Sequence, residues 1–501
     1  MSTLGVEFGS TRIKSVLVDD ECLTLASGAF GWENSFENGF WTYRLDDVWQ
    51  GLQKSLDSLK DASRRHPNLA EVKHVGISGM MHGYLVFGAD GDQLVPFRTW
   101  RNTTTGPAAA RLSEVFGVSI PQRWSIAHLY QAILNNEPHV SDIAFITTLS
   151  GYVHWKLTGQ KVVGIGDASG MFPVTDGAFD AAMVQKFTDL TGVDWVKIAP
   201  APLAAGQPAG ALLRPFDGIA AGTEMCPPEA DAATGMVATN SLEPGTGNVS
   251  AGTSIFLMAV LDKPLAKPHP EIDMVTTPSG KPVAMVHCNN GTSEIDAWVG
   301  LFGELLTAVG VGHDISALYD TVYTSALEAA PDGDGLLSFN YLAGEHLAGL
   351  DEGRPLLMRL PTSRLTLANF MRAQLFAPLA TLRSGLDILT DEEHVTLRRL
   401  LGHGGLFKTP VVGQTLMASA LGVPVSVMDS AGEGGAWGVA VLAAYAHTHG
   451  QPVEQFVAQV FKQSSGVTVA PDAAIADGFE AYRRRHRGGL AIERAAVEHF
   501  V

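Results

Sequence analysis

The chain has 501 residues, 46% of them hydrophobic and 17% charged, a balance that buries a large interior and excludes a disordered protein. Its 52 acidic against 34 basic side chains give a formal charge of −18, which opposes non-specific attraction to nucleic acid or to an anionic membrane. A small phosphate ligand stays allowed, because local N–H groups and a metal ion outweigh a distant net charge, and the length suits two domains of about 200 to 250 residues.

In chain order, Leu4-Gly-Val-Glu-Phe8 and Ile13-Lys-Ser-Val-Leu-Val18 are short apolar runs joined by a turn that Gly9 and Ser10 can make, which predicts a β-hairpin. The chain turns back into a strand instead of entering a helix, so this is not a Walker phosphate loop. Backbone N–H groups from Gly9 to Arg12, with the Ser10 and Thr11 hydroxyls, make a candidate anion nest, and Glu7 is close enough to act through a metal ion. Residues 72–78 read as a buried strand, and residues 84–87 with the turn Ala89-Asp-Gly-Asp92 as a hairpin. Helical periods cover residues 124–135 and 150–157.

A Gly, Ala and Pro-rich stretch at 203–220 and the turn cluster Glu243-Pro-Gly-Thr-Gly247 mark a domain junction, dividing the chain into 1–243 and 244–501. Strand, turn and strand then recur: 247–251, Gly252-Thr253-Ser254, 255–260. A strand at 282–288, a helix at 294–309, an irregular stretch at 343–359 and a long helix at 365–388 follow. Beyond Gly402-His-Gly-Gly405, where glycine permits close backbone approach to a flat ligand, come helices at 411–421 and 434–446. Arg483-Arg-Arg-His-Arg487 is expected to be a solvated helix end. Cys22, Cys226 and Cys288 are isolated, so neither disulfides nor a zinc site is supported. With no leader and no apolar run of roughly 18 residues, the expectation is a cytoplasmic protein that meets no membrane.

Two halves that open alike, each with a hairpin toward a shared cleft, resemble the actin, Hsp70 and sugar-kinase architecture. Further motifs sharpen this. Gly76-Ile-Ser-Gly-Met-Met-His-Gly83 resembles the sugar-site segment, and Trp100-Arg-Asn102 the Trp-Asn-Asp, of xylulokinases in the FGGY carbohydrate kinase family. Asp231-Ala-Ala-Thr-Gly-Met-Val237 is similar to that family's Gly-Asp-Asn-Ala-Ala helix. Gly404-Gly405 through Gln414 resembles its adenosine-binding turn, and Ser430-Ala-Gly-Glu-Gly-Gly-Ala-Trp-Gly438 the helix start that closes its second signature.

The resemblance implies an α/β fold of two actin-like (ribonuclease H-like) ATPase domains flanking a cleft, and ATP- and Mg2+-dependent phosphorylation of a small ketose. It implies Asp231 as base, with Met81, His82, Trp100, Asn102 and Asp231 on the sugar. ATP falls to Gly9, Ser10, Thr11, Lys14, Gly252, Thr253, Ser254, Gly404, Gly405, Leu406 and Thr409, and Mg2+ to Glu7 and Asp231 through water. The expected partners are the sugar and ATP, and a homodimer is compatible. A γ-phosphoryl transfer needs alignment, charge neutralisation and a carboxylate to receive the hydroxyl proton; taken alone, Asp231 would equally serve as a helix N-terminal cap. Glu7 stands where the family has Asp, Ala232 where many relatives have Asn, and Arg101 where Asn is usual. The alternatives left open are an L-ribulokinase or a kinase of another sugar or polyol such as glycerol or gluconate, and a non-kinase sugar-binding ATPase or sensor of the same fold.

Overall fold

The computed structural model describes residues 2–62, 69–428, 434–446, 448, 450–463 and 465–500. Strands β1 (Ser2–Phe8), β2 (Arg12–Val18) and β3 (Thr24–Gly31) form an antiparallel meander. Helix α1 (Leu45–Ala62) packs against it through Val48, Leu52, Leu56 and Leu59, the 3.6-residue period of an amphipathic helix. On the other side of β1 lies the parallel strand β4 (Val72–Gly79), flanked by the short β5 (Glu224–Met225) and β6 (Glu229–Ala230), both parallel to β4. Parallel neighbours need a crossover, and here residues 80–223 occupy it, including helix α2 (Ser125–Leu134). Helix α3 (Asp231–Ala238) leaves directly from β6.

A second sheet repeats the plan. Hairpin β7 (Thr246–Ala251) and β8 (Ile255–Val260) continues through β9 (Ile272–Thr276) and β10 (Pro282–Cys288). After the long helix α4 (Leu367–Asp387), β11 (Arg399–His403) lies parallel to β7. Helix α5 (Val412–Leu421) crosses to β12 (Val425–Met428), which is parallel to β11. The sheet order is β9-β10-β8-β7-β11-β12-β13, with β13 at Gly466–Val469.

The chain then returns. Helix α6 (Gly434–Tyr445) lies on the first sheet, against β1, β4 and α3. Its approach is so close that a Cβ on Gly5 would fall 2.0 Å from the Ala436 carbonyl oxygen, and one on Gly76 2.5 Å from that of Val439. One apolar cluster consequently joins Met81, Val237, Met258, Val283, Trp437 and Val439, drawn from both halves. Helix α7 (Ala473–His499) covers the second sheet's side.

One expectation is extended and another corrected. The segment after the predicted turn does return antiparallel, through the bridges Tyr84–Arg98 and Phe87–Gln93 and the Leu94 N–H donating to the Val86 carbonyl at 3.0 Å, and Leu85–Phe87 also pairs with the more distant Phe145–Thr147. The basic run is not a solvated helix end: it lies inside α7, where Arg483 and His486 are buried and Arg483 ion-pairs with Asp387 and Glu480. Part of the expected signature, residues 430–433, lies outside the described residues.

Candidate active site

The carboxyl ends of β1, β4 and β6 converge, the usual place for a ligand in an α/β sheet. Pairing sets Glu7 beside Ser78 on one side and Lys14 on the other, and Ala230 beside Gly79. Asp231, the first residue of α3, therefore emerges next to the end of β4. Its Oδ1 accepts the Met81 N–H at 3.1 Å and the Ala232 N–H at 2.8 Å, while Oδ2 bonds to no other described residue. Burial pushes the carboxyl up to about 6, against the pull of these N–H groups. Glu7 is pushed up to about 7, first by burial and then by the Asp231 charge, while Lys14, the Ala436 N–H and Arg12 pull the other way. A Cβ on Gly435 would lie 2.6 Å from a Glu7 carboxylate oxygen, so the start of α6 closes the back of the site.

Met81 contributes its backbone; its side chain is buried. His82 takes a left-handed φ of 72°, followed by Gly83 at 99°, a backbone that a non-glycine residue adopts only under surrounding constraint. Those constraints are visible. Arg123 Nε donates to His82 Nε2 at 3.2 Å, and because guanidinium only donates, the ring proton must reside on Nδ1, which donates to the Gly170 carbonyl at 3.0 Å. Burial first, then the Arg123 charge, lower the imidazole to about 3, so it is neutral. Gly83 N–H donates to the Arg123 carbonyl at 3.3 Å, and Ser125 Oγ to that of Gly83 at 2.6 Å.

The first hairpin has the predicted shape, with one amendment to the candidate nest: the Gly9 N–H closes the turn on the Arg12 carbonyl at 3.0 Å and is spent there. Trp32 Nε1 and Tyr43 Oη donate to the carbonyls of Gly9 and Ser10, stiffening the tip. In the second half, parallel pairing places Ser250 beside His403, and Ala251, just before the Gly252-Thr253-Ser254 turn, lies against Gly404. The space at the Gly252 α-carbon is open to 4 Å, and that at Gly405 to 3.9 Å. Leu406 is in the core, and the Thr409 hydroxyl is held by Asp320 at 2.7 Å. Trp100 is 38% exposed. The Asn102 amide is fully used, accepting from Trp41 N–H and donating to the carbonyls of Trp41 and Thr99.

Sequence reasoning missed a second tier of groups, because each finds its partner far along the chain. Glu229 accepts the N–H groups of Gly166, Asp167 and Ala230. Asp167 accepts the hydroxyls of Thr148 and Ser150 on Oδ2, and its buried Oδ1 has no partner among the described residues. Burial and mutual proximity hold Glu229 up at about 8; burial chiefly, with a contribution from Asp231, holds Asp167 at about 7. Arg123 itself ion-pairs with Asp273 on β9.

Two hairpin-bearing sheets of the same plan, with a carboxylate at the strand ends, make the two-domain actin-like fold. Residues 2–201 match the N-terminal and 247–447 the C-terminal domain of the FGGY family of carbohydrate kinases, and the chain belongs to that family. It is a sugar kinase. A xylulose kinase of Haemophilus influenzae is 23% identical, with 86% of this chain and 91% of that one aligned. A gluconokinase of Bacillus licheniformis is 23% identical over 88% of this chain and 87% of its own. The crystal structure of xylulose kinase from Rhodospirillum rubrum superposes with a TM-score of 0.80 at 20% identity, covering 98% of this chain and 99% of that one.

Proposed function

We propose that the protein transfers the γ-phosphoryl group of ATP to a hydroxyl of a small ketose, most closely a ketopentose of the xylulose type, with Asp231 as general base. The observation that carries this reading is Asp231 itself. Its Oδ1 is fixed by two backbone donors, its Oδ2 is unengaged by other described residues, and its carboxyl is raised toward, but below, neutral pH. A base poised in this way is ionised at pH 7 yet takes up a proton readily. Met81 N–H orients it, the His82–Gly83 turn shapes the wall where the sugar would lie, and the open faces of Gly252 and Gly405 suit phosphate and adenosine. Glu7 and Asp231 are a hard-oxygen pair whose crowding of negative charge would be relieved by Mg2+. The two carboxylates would hold that ion through water, and it would supply charge neutralisation on the transferred group.

The domain division near residue 243 and a cytoplasmic location belong to the same proposal; three free, buried cysteines suit a reducing compartment, and no helix among the described residues is long and apolar enough to cross a membrane. The test is phosphorylation by the purified protein, with ATP and Mg2+, of D-xylulose, L-ribulose, D-ribulose, glycerol and D-gluconate. Turnover of a ketopentose far above the others supports the reading. Preference for gluconate or glycerol replaces it with that of a sibling activity, and sugar binding without product replaces it with a sensor.

A further inference from the structure

Arg123 joins two things, the His82–Gly83 turn and the edge of the second sheet, and the residue before that turn, Met81, is the one whose N–H bonds Asp231. Arg123 Nε donates to His82 and its carbonyl receives the Gly83 N–H. Its guanidinium ion-pairs with Asp273, 150 residues away on β9. The pair is largely buried, with side chains 21% and 13% exposed. On the same strand, Thr276 N–H donates to Ser169 Oγ at 3.0 Å and its hydroxyl to the Ile165 carbonyl at 3.1 Å, so β9 is the strap by which the second sheet holds the crossover region of the first. The Asp273 contact differs from these two in reaching, through Arg123 and His82, the Met81 N–H that orients Asp231. Neither ring nitrogen of His82 is left for a ligand, so its side chain serves this linkage.

We infer that Arg123 is a positioning residue, coupling the approach of the second half, through Asp273, to the His82–Gly83 turn and so to the orientation of Asp231. The inference deepens the sugar-site reading above and rests on it for its kinetic arm only. The base is then fully set when the two halves are together, which restrains phosphoryl transfer to water while they are apart.

Three variants of the full chain separate the parts. Asp273→Asn breaks the ion pair; Arg123→Lys keeps a cation for Asp273 but lacks the Nε donor for His82; Asp273→Glu is the conservative rescue. In solution scattering without sugar, Asp273→Asn should show a larger radius of gyration than wild type, while Arg123→Lys and Asp273→Glu should match wild type. On whichever sugar the wild type phosphorylates, Asp273→Asn should raise the sugar KM and lower kcat, each by roughly tenfold. Arg123→Lys should lower kcat by a similar factor with a smaller change in KM, the split expected when orientation is lost and closure is kept. Wild-type scattering from folded Asp273→Asn overturns the tie between the halves, and wild-type kcat in Arg123→Lys overturns the tie to the base. Melting shifts in both variants with kcat and KM unmoved would make the network merely structural and overturn both. A wild type that phosphorylates no sugar rejects the ketose kinase reading, and scattering still decides the tie between the halves.

Discussion

If Asp231 is the base, as proposed, it acts through the carboxylate oxygen that no other described residue engages, so its replacement separates proton transfer from binding. Asp231→Asn should lower kcat by roughly 10² to 10⁴ while ATP affinity stays within a few fold; steady-state kinetics beside calorimetric ATP titration measure both, and a near-normal kcat rejects the role. The wild-type pH profile carries the same information. A base must be ionised, and this carboxyl is raised from 3.8 to about 6, so kcat/KM should hold above that pH and fall below it. Glu7, raised to about 7 by burial and by Asp231, titrates with it, and the apparent values belong to the pair. Asp231, Met81 and His82 were legible in the sequence as a family pattern. What each touches was not: the Met81 N–H bonds Asp231, the His82 ring bonds Arg123, and the Asn102 amide bonds the backbone of Trp41 and Thr99.

The hairpins test the nucleotide assignment cleanly at two glycines and poorly at a third. A side chain on Gly252 or Gly405 meets open space, and neither has a positive φ, whereas Gly404 has φ 101° and a Cβ there would lie 2.4 Å from the Ala251 carbonyl oxygen. Gly252→Val and Gly405→Val should therefore weaken ATP binding with little change in melting temperature, and Gly404→Val should lower the melting temperature itself. Unchanged ATP affinity in the first two would remove the nucleotide from these loops. Helix α3 and its supports predict a pH effect of their own. Glu229 and Asp167 have folded-state values near 8 and 7, above those of an unfolded chain, so their contribution to stability is complete at acid pH and is lost as pH rises through the folded values. Glu229→Gln should flatten the decline in melting temperature between pH 5 and 9, read by calorimetry; an unchanged slope would mean the pair is not the source. The hairpins and most helices were legible because period and turn residues are local signals. The second partner strand of Leu85–Phe87 and the burial of Arg483 were not, since both are settled by segments 50 or more residues away.

At the scale of the whole molecule, the first sheet is not made from the first half alone. Helix α6 lies on β1 and β4, with Trp437, Val439 and Ala440 in the cluster that holds Met81 and Val237. A fragment of residues 1–243 should thus expose an apolar face and aggregate, while the same fragment fused to residues 434–463 should be more soluble and show a cooperative melt; equal behaviour of the two would make α6 dispensable to the first sheet. The doubled architecture was visible in the repeated hairpin, yet the return of α6 was hidden, because an apolar helix carries no mark of which sheet it will cover. Synthesis feels the consequence. Between the end of β6 at Ala230 and the start of α6 at Gly434 roughly 200 residues must be made, which at ribosomal speeds of about 5–20 residues per second takes on the order of 10–40 s. For that interval the nascent first sheet offers a glycine-floored apolar trough with no occupant, so the growing chain relies on delay, shielding or chaperones until its own distant helix arrives.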